Sequence, residues 1–332
     1  MSYQPQFIIT PALLARVESI AALRERIQGA AVQVPWIPML QKDTRARNTY
    51  SSTAIEGNPL TLEEGATVSA PARARREVLN YFAALRHVEK QAAKKRLTHE
   101  HIFRLHAIIA GEVMDQGEAG RYRTMRVRVG QFVPPPPADV SGLMFELLEW
   151  WNNKARGLSP VLSSAIVHYR FEAIHPFGDG NGRTGRALAL WELYRRGFDS
   201  HHIFAVDEFY WENRPQYLAA LDEVRGRGED LTAWLEYCAE GLQQTLERVW
   251  ERMGQFSIAS AGERLVLRPR QERLLKLLGV RGGMAPVELW AALGVSKQGA
   301  MDLLHPLMKA GLVKRVGTLK TGRYVLTGPG QS

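Results

Sequence analysis

The sequence predicts a mainly helical chain with one short β-hairpin and a small, separate C-terminal module. Three observations lead there. Apolar residues recur at helical spacing through most of the first 263 positions. Strict apolar–polar alternation occurs at one place, residues 122–133. A stretch of mostly small residues, Ser257 to Gly262, separates a charge-balanced body from a basic tail.

Composition sets the outer bounds. The chain has 332 residues, 45% hydrophobic and 23% charged, ordinary for a globular protein with a buried core. At roughly 100–200 residues per domain, two or three domains are expected. No apolar run approaches the roughly 18 residues of a membrane helix, so no membrane span is expected. The opening residues, MSYQPQFIITPALLARVES, have no basic start and no small-residue cleavage site, so no secretory signal is read. Cys238 is the one cysteine and cannot form an internal disulfide. A cytoplasmic setting is expected, with Cys238 a small core residue in an apolar helical run.

The elements follow in order. Helix-sized segments carry Val78, Phe82 and Leu85, then Leu143, Leu147, Trp150 and Trp151, then Leu190, Leu193 and Tyr194, then Leu235, Leu242, Leu246 and Val249. Breaks fall at Pro35 to Pro38, Gly57 to Pro59, Pro134 to Pro137 and Gly157 to Pro160. In YRTMRVRVGQFV, Met125, Val127 and Val129 alternate with Thr124, Arg126 and Arg128. Gly130 and Gln131 offer the turn of a hairpin, which the proline run ends.

Beyond the small-residue break, helices are expected at 270–278 and 286–293, then a tight turn at Gly294 and Val295. Ser296 caps a third helix that Pro306 interrupts, and two β-like runs, 312–316 and 322–327, close the chain. That order resembles a winged helix-turn-helix, assigned to residues 265–332. From Arg264 onward the tail holds twelve Lys and Arg against three acids, so its net +9 equals that of the whole chain. A polyanion such as DNA, contacted through residues 264–332, is one reading. A solvated basic surface, or a module that binds protein, is the other.

The segment richest in chemistry is FEAIHPFGDGNGRTGR, Phe171 to Arg186. A glycine loop with Gly178, Gly180 and Gly182 opens onto a helix N-terminus, where backbone N–H groups can cradle a phosphate. Arg183 and Arg186 project from one face of the first helical turn. Two cations at a helix N-terminus oppose the dipole unless a multiply charged anion sits between them. Asp179 supplies a carboxylate suited to Mg²⁺ beside phosphates. His175 can take a proton at neutral pH. Each feature alone also reads as ordinary structure: GDGNG as a turn, a His before Pro as scaffold. Their combination points to phosphate chemistry. The loop is neither a Walker A loop nor a dinucleotide fingerprint.

The segment resembles the signature of the Fic family, His-x-Phe-x-Asp/Glu-Gly-Asn-Gly-Arg-x-x-Arg. His175, Phe177, Asp179, Gly180, Asn181, Gly182, Arg183 and Arg186 match every fixed position. The resemblance implies a Fic-type helical bundle and transfer of AMP from ATP to a protein hydroxyl. His175 would be the general base and Phe177 a core anchor. Asp179 would be the Mg²⁺ ligand, and Gly180, Asn181 and Gly182 the anion hole. Arg183 and Arg186 would hold the phosphates. Upstream, STAIEGN at 52–58 resembles the family's inhibitory motif, 52–57 here, with Ser52 and Glu56 four residues apart on one helical face. Glu56 beside Arg186 would take the place of the γ-phosphate. The same residues also read as a helix end. REVLNY, Arg76 to Tyr81, matches the helix that follows this motif in the family. The hairpin sits where the family carries a flap for an extended target, with Gln131, Phe132 and Val133 on it.

The expected organisation is an N-terminal helical region at 1–95, a Fic core at 96–256 and the winged module at 265–332. Expected partners are ATP, Mg²⁺ and a protein bearing a Tyr, Thr or Ser hydroxyl, the chain itself included, with a homodimer and DNA left open. Two rival functions stand beside AMP transfer: removal of AMP from a modified protein, and a DNA-binding regulator with a Fic sensor.

Overall fold

A computed structural model describes residues 3–31, 37–61, 71–256, 269–309, 312–318 and 322–327. Ser257 to Gly262, Pro35, and the basic residues Arg264, Arg268 and Lys320 lie outside the described residues. Packing divides the chain into two compact units: Met1–Val32 with Met39–Val249, and Gln33–Pro38 with Trp250–Ser332.

The first unit is helical. Its helices are α1 (Pro11–Ala31), α2 (Ile37–Ile55), α3 (Ala72–Gln91), α4 (His99–Ala110), α5 (Pro137–Asn153), α6 (Pro160–Ile174), α7 (Asn181–Arg195), α8 (Val206–Glu212), α9 (Arg214–Gly226) and α10 (Thr232–Phe256). The helices α6 and α7 form the centre and pack against each other, with α3 and α4 on α7 and α5 on α6. In α6 every residue from Val161 to Ile174 except Arg170 is buried, so the helix shows no amphipathic stripe. Polar groups buried in this centre are satisfied in place. Glu192 is fully covered, and accepts from Trp151 Nε1 and Ser163 Oγ at 2.6 Å each while pairing with Arg195 and Arg196. A buried carboxylate is tolerable because donors surround it. Cys238 is buried on α10 beside the Tyr210 hydroxyl, as a core residue.

The expected hairpin is reduced to a single turn. Val129 and Phe132 exchange both backbone hydrogen bonds at 2.9 Å around Gly130, whose φ is +57°. No strand is assigned over 122–133. The alternation there reads as a strand, but the return arm meets Pro134 to Pro137 within two residues and runs out of N–H donors.

In the second unit, α11 (Pro269–Arg281), α12 (Pro286–Leu293) and α13 (Lys297–Lys309) precede an antiparallel pair, β1 (Val313–Val316) and β2 (Arg323–Leu326). Gly294 ends α12 with φ +63°, and Ser296 Oγ accepts from Gly299 N–H at the start of α13. Leu274, Leu278, Met284, Leu289, Leu304, Leu307, Val313 and Tyr324 form the core. Met284 also exchanges backbone hydrogen bonds with Tyr324. Pro306 does not interrupt α13, contrary to expectation: the helix runs through it to Lys309. Leu303, Leu304 and Leu307 are buried on both sides of the proline, and that packing outweighs one lost backbone bond.

Candidate active site

The loop between α6 and α7 holds the predicted constellation. The last residue before it, His175, caps α6 in the left-handed conformation, with φ +48°. Gly180, φ +74°, starts α7. The first intrahelical bond there runs from Thr184 N to the Gly180 carbonyl, so the N–H groups of Asn181, Gly182 and Arg183 precede it and face outward. The Asn181 side chain staples the loop: its Oδ1 accepts from Phe177 N at 2.9 Å and its Nδ2 donates to Phe177 O at 3.0 Å. What Asn181 offers an anion is therefore its backbone. Phe177 is fully buried, as the resemblance implied.

The two arginines differ. Arg183 is 4% exposed, and its nearest carboxylates are Asp179 at 3.6 Å and Glu77 at 3.9 Å. Its Nε and Nη1 have no hydrogen-bond partner. Arg186 is 1% exposed and engaged all round. Nε donates to Ser52 Oγ at 2.7 Å, and Nη2 donates to Ser52 O at 3.0 Å and Glu56 Oε1 at 2.7 Å. Burial works against the Arg186 charge, but Glu56 leads a set of negative neighbours that holds its pKa well above the ordinary value. Burial likewise opposes the Glu56 charge, and Arg186 more than offsets it, so the Glu56 pKa is lowered.

The motif is also a helix end. The helix α2 stops at Ile55, Gly57 adopts φ +91°, and the amides of Glu56 and Asn58 bond to the Thr53 carbonyl. Both readings of STAIEGN describe the same residues, since the closing turn delivers the Glu56 side chain to Arg186. Glu56 lies so close over Gly182 that a Cβ there would collide with its carboxylate. The flap residues are spread apart: Gln131 and Val133 are exposed, while the Phe132 ring lies 3.8 Å from the Arg225 guanidinium.

Two residues that hold the loop carried no sequence signal. The imidazole of His106, on α4, stacks on Phe177 with centroids 3.6 Å apart and planes 4° from parallel. Gly120 N–H donates to its Nδ1, so Nε2 carries the proton and donates to Asp179 O at 2.9 Å. Burial pushes its pKa down to about 4, which keeps that neutral tautomer. Arg123 donates to the carbonyls of His175, Met125, Pro135 and Ile174, and its own N–H to Pro176 O. It binds the loop to the flap. Periodicity shows neither, because both partners are distant in sequence.

Fold and loop define a helical protein with a glycine-rich loop and two buried arginines at a helix junction. Residues 96–193 match the model of the Fic/DOC family, so the chain carries a Fic/DOC domain over that segment. It is 32% identical over 221 residues to protein adenylyltransferase fic-1 of Caenorhabditis elegans, covering 63% of this chain and 42% of the worm protein. It is 34% identical over 217 residues to protein adenylyltransferase Fic of Drosophila grimshawi, covering 62% and 43%. The chain thus spans under half the length of these curated relatives. A Fic family protein from Desulfovibrio desulfuricans superposes with a TM-score of 0.70 at 29% identity, over 99% of this chain and 100% of that one.

Proposed function

We propose that the protein transfers AMP from ATP to a Tyr, Thr or Ser hydroxyl of a protein, and that Glu56 restrains it. The observation that carries this reading is Arg183: a buried guanidinium with unpaired donors, beside outward N–H groups of a helix N-terminus. Asp179 and Glu77 already face this charge, but buried donors left without a hydrogen bond suit the oxygens of a phosphate group. The triphosphate would lie along Gly180 to Arg186. His175 takes the proton of the incoming hydroxyl, the oxygen bonds to the α-phosphorus, and pyrophosphate leaves with the broken P–O bond. The chain contributes positioning and charge stabilisation.

Asp179 fits a metal that arrives with the nucleotide. Among the described residues no group of three or more His, Cys, Asp or Glu could hold an ion alone. The Asp179 side chain is 32% exposed at the mouth of the loop, and one carboxylate plus phosphate oxygens is a donor set Mg²⁺ accepts. Bound there, Mg²⁺ would neutralise phosphate charge.

The test is incubation of the Glu56→Gly protein with labelled ATP and cell lysate, followed by identification of labelled proteins. Absence of labelling in that form overturns the reading. Chasing the labelled proteins with wild type examines removal of AMP, a hydrolysis in which Glu56 would position the attacking water and AMP would leave the restored hydroxyl.

The second unit supports a further proposal: a winged-helix module that binds DNA through phosphates. Arg270, Arg273, Arg281, Lys297 and Arg323 are exposed on it. If about four phosphates are contacted, raising salt from ~50 to ~200 mM should weaken duplex binding by the full chain on the order of a hundredfold. A chain that does not bind duplex DNA at the lower salt leaves this unit as a protein-binding module.

A further inference from the structure

A carboxylate behind His175 is unexplained by the reading so far. Glu172 lies on the last turn of α6 and is 6% exposed. Its Oε1 is buried with no hydrogen-bond partner. Its Oε2 stands 3.7 Å from His175 Nδ1, and that ring nitrogen is also buried without a partner. A buried, unpaired carboxylate is costly. The helix α7 makes a second concession at the same point. Gly185 sits in its first turns, where glycine costs about 1 kcal/mol against alanine. A Cβ on Gly185 would lie 2.5 Å from Glu172 Oε1. The glycine therefore makes room for the carboxylate, and two unfavourable choices meet beside the proposed base.

We infer that Glu172 is a positioning residue for His175: its carboxylate accepts a hydrogen bond from Nδ1–H of the imidazole, which keeps the proton on Nδ1 and leaves Nε2 bare to accept the proton of the target hydroxyl. This rests on the AMP-transfer reading. At 3.7 Å the pair stands just outside hydrogen-bond length, as resting catalytic pairs often do, and it tightens when the ring gains charge. In the transfer step the hydroxyl O–H bond breaks and its proton goes to Nε2. The oxygen bonds to the α-phosphorus, and pyrophosphate departs with the P–O electron pair. Glu172 stays ionised and faces the imidazolium, the role an acid plays behind a histidine base in hydrolytic triads. Among the described residues, the other contacts that fix His175 run through its backbone, to Phe171 O and from Arg123. Without Glu172 nothing selects the tautomer.

The experiment uses the Glu56→Gly chain and its Glu172→Gln derivative. Glutamine keeps the shape and removes the charge. We expect kcat for AMP transfer to fall about 10- to 100-fold with KM for ATP unchanged within about twofold, since the arginines are untouched. Ring-nitrogen NMR of the Glu56→Gly chain, with His175 assigned by its loss in His175→Ala, should show neutral His175 protonated at Nδ1. Glu172→Gln with the kcat of its parent overturns the inference, as does a parallel loss of ATP binding, which marks a purely structural role. A proton on Nε2 of neutral His175 overturns it even where Glu172→Gln does not fold. The ring readout needs no turnover, so failure of AMP transfer in the Glu56→Gly parent is a separate result that counts against the activity alone.

Discussion

Replacing His175 with alanine in the Glu56→Gly protein lowers AMP transfer by about 10²- to 10⁴-fold, the range expected when a positioned base is lost. No neighbour can take over. His106 is the nearest other imidazole to the loop, and both its ring nitrogens are spent on Gly120 and Asp179. Its pKa of about 4 comes from burial. The Asp179 carboxylate faces Arg183 and the Gly180 N–H. The fold should survive the change, because the His175 side chain makes no direct hydrogen bond that holds the loop. The loop is held by the His175 backbone, through Arg123 and Phe171, and by the Asn181 staple. The left-handed backbone at φ +48° is already borne by histidine, whose Cβ alanine keeps, so the change adds little strain there. ATP affinity should change little, since both arginines remain. Transfer within a few-fold of the parent removes His175 from the mechanism.

The legible parts of this molecule are those whose partners are close in sequence. The proposed base, the glycines and the arginines from His175 to Arg186 lie within one turn–helix unit, so spacing alone places them together. Glu56 lies 130 positions from Arg186, and only the resemblance joined them. His106, Arg123 and Glu172 stayed hidden for different reasons. His106 reads as one more residue of a helical pattern, and its 73-residue reach to Asp179 exists only after α4 packs on α7. Arg123 precedes an alternating run, in register with Met125, Val127 and Val129, and a charged residue there does not fit the run's apolar face, yet it is 4% exposed. Glu172 belongs to a helix buried all round, where polarity no longer marks a surface. Alternation before Gly130 reports which side of the segment is wet, while a ladder also needs a partner with free N–H groups. Prolines removed that partner.

Replacing Glu56 with glycine raises AMP transfer by about a hundredfold at limiting ATP, and raises triphosphate occupancy with it. The pair is lopsided: Arg186 is 1% exposed and Glu56 38%. The carboxylate thus reaches in from the open side, and its removal disturbs little packing. The backbone bonds that end α2 run from the amides of Glu56, Gly57 and Asn58 and do not use the Glu56 side chain. Ser52 Oγ and O still accept from Arg186 Nε and Nη2, so the guanidinium keeps its place and one Nη2–H is freed from Glu56. A guanidinium fork suits a carboxylate or a phosphate oxygen and cannot serve both fully at once. With Glu56 present, its carboxylate also covers Gly182, where backbone must approach the anion. ATP then binds with its γ-phosphate displaced and its α-phosphorus out of line, and a displacement of about 1 Å costs on the order of 100-fold in rate. Adding Arg186→Ala should cancel the gain, because the clamp that Glu56 was blocking is then missing. The deciding measurement is modification rate against ATP concentration for wild type, Glu56→Gly and the double variant. A Glu56→Gly protein no faster than wild type would return residues 52–57 to the simpler role of a helix end.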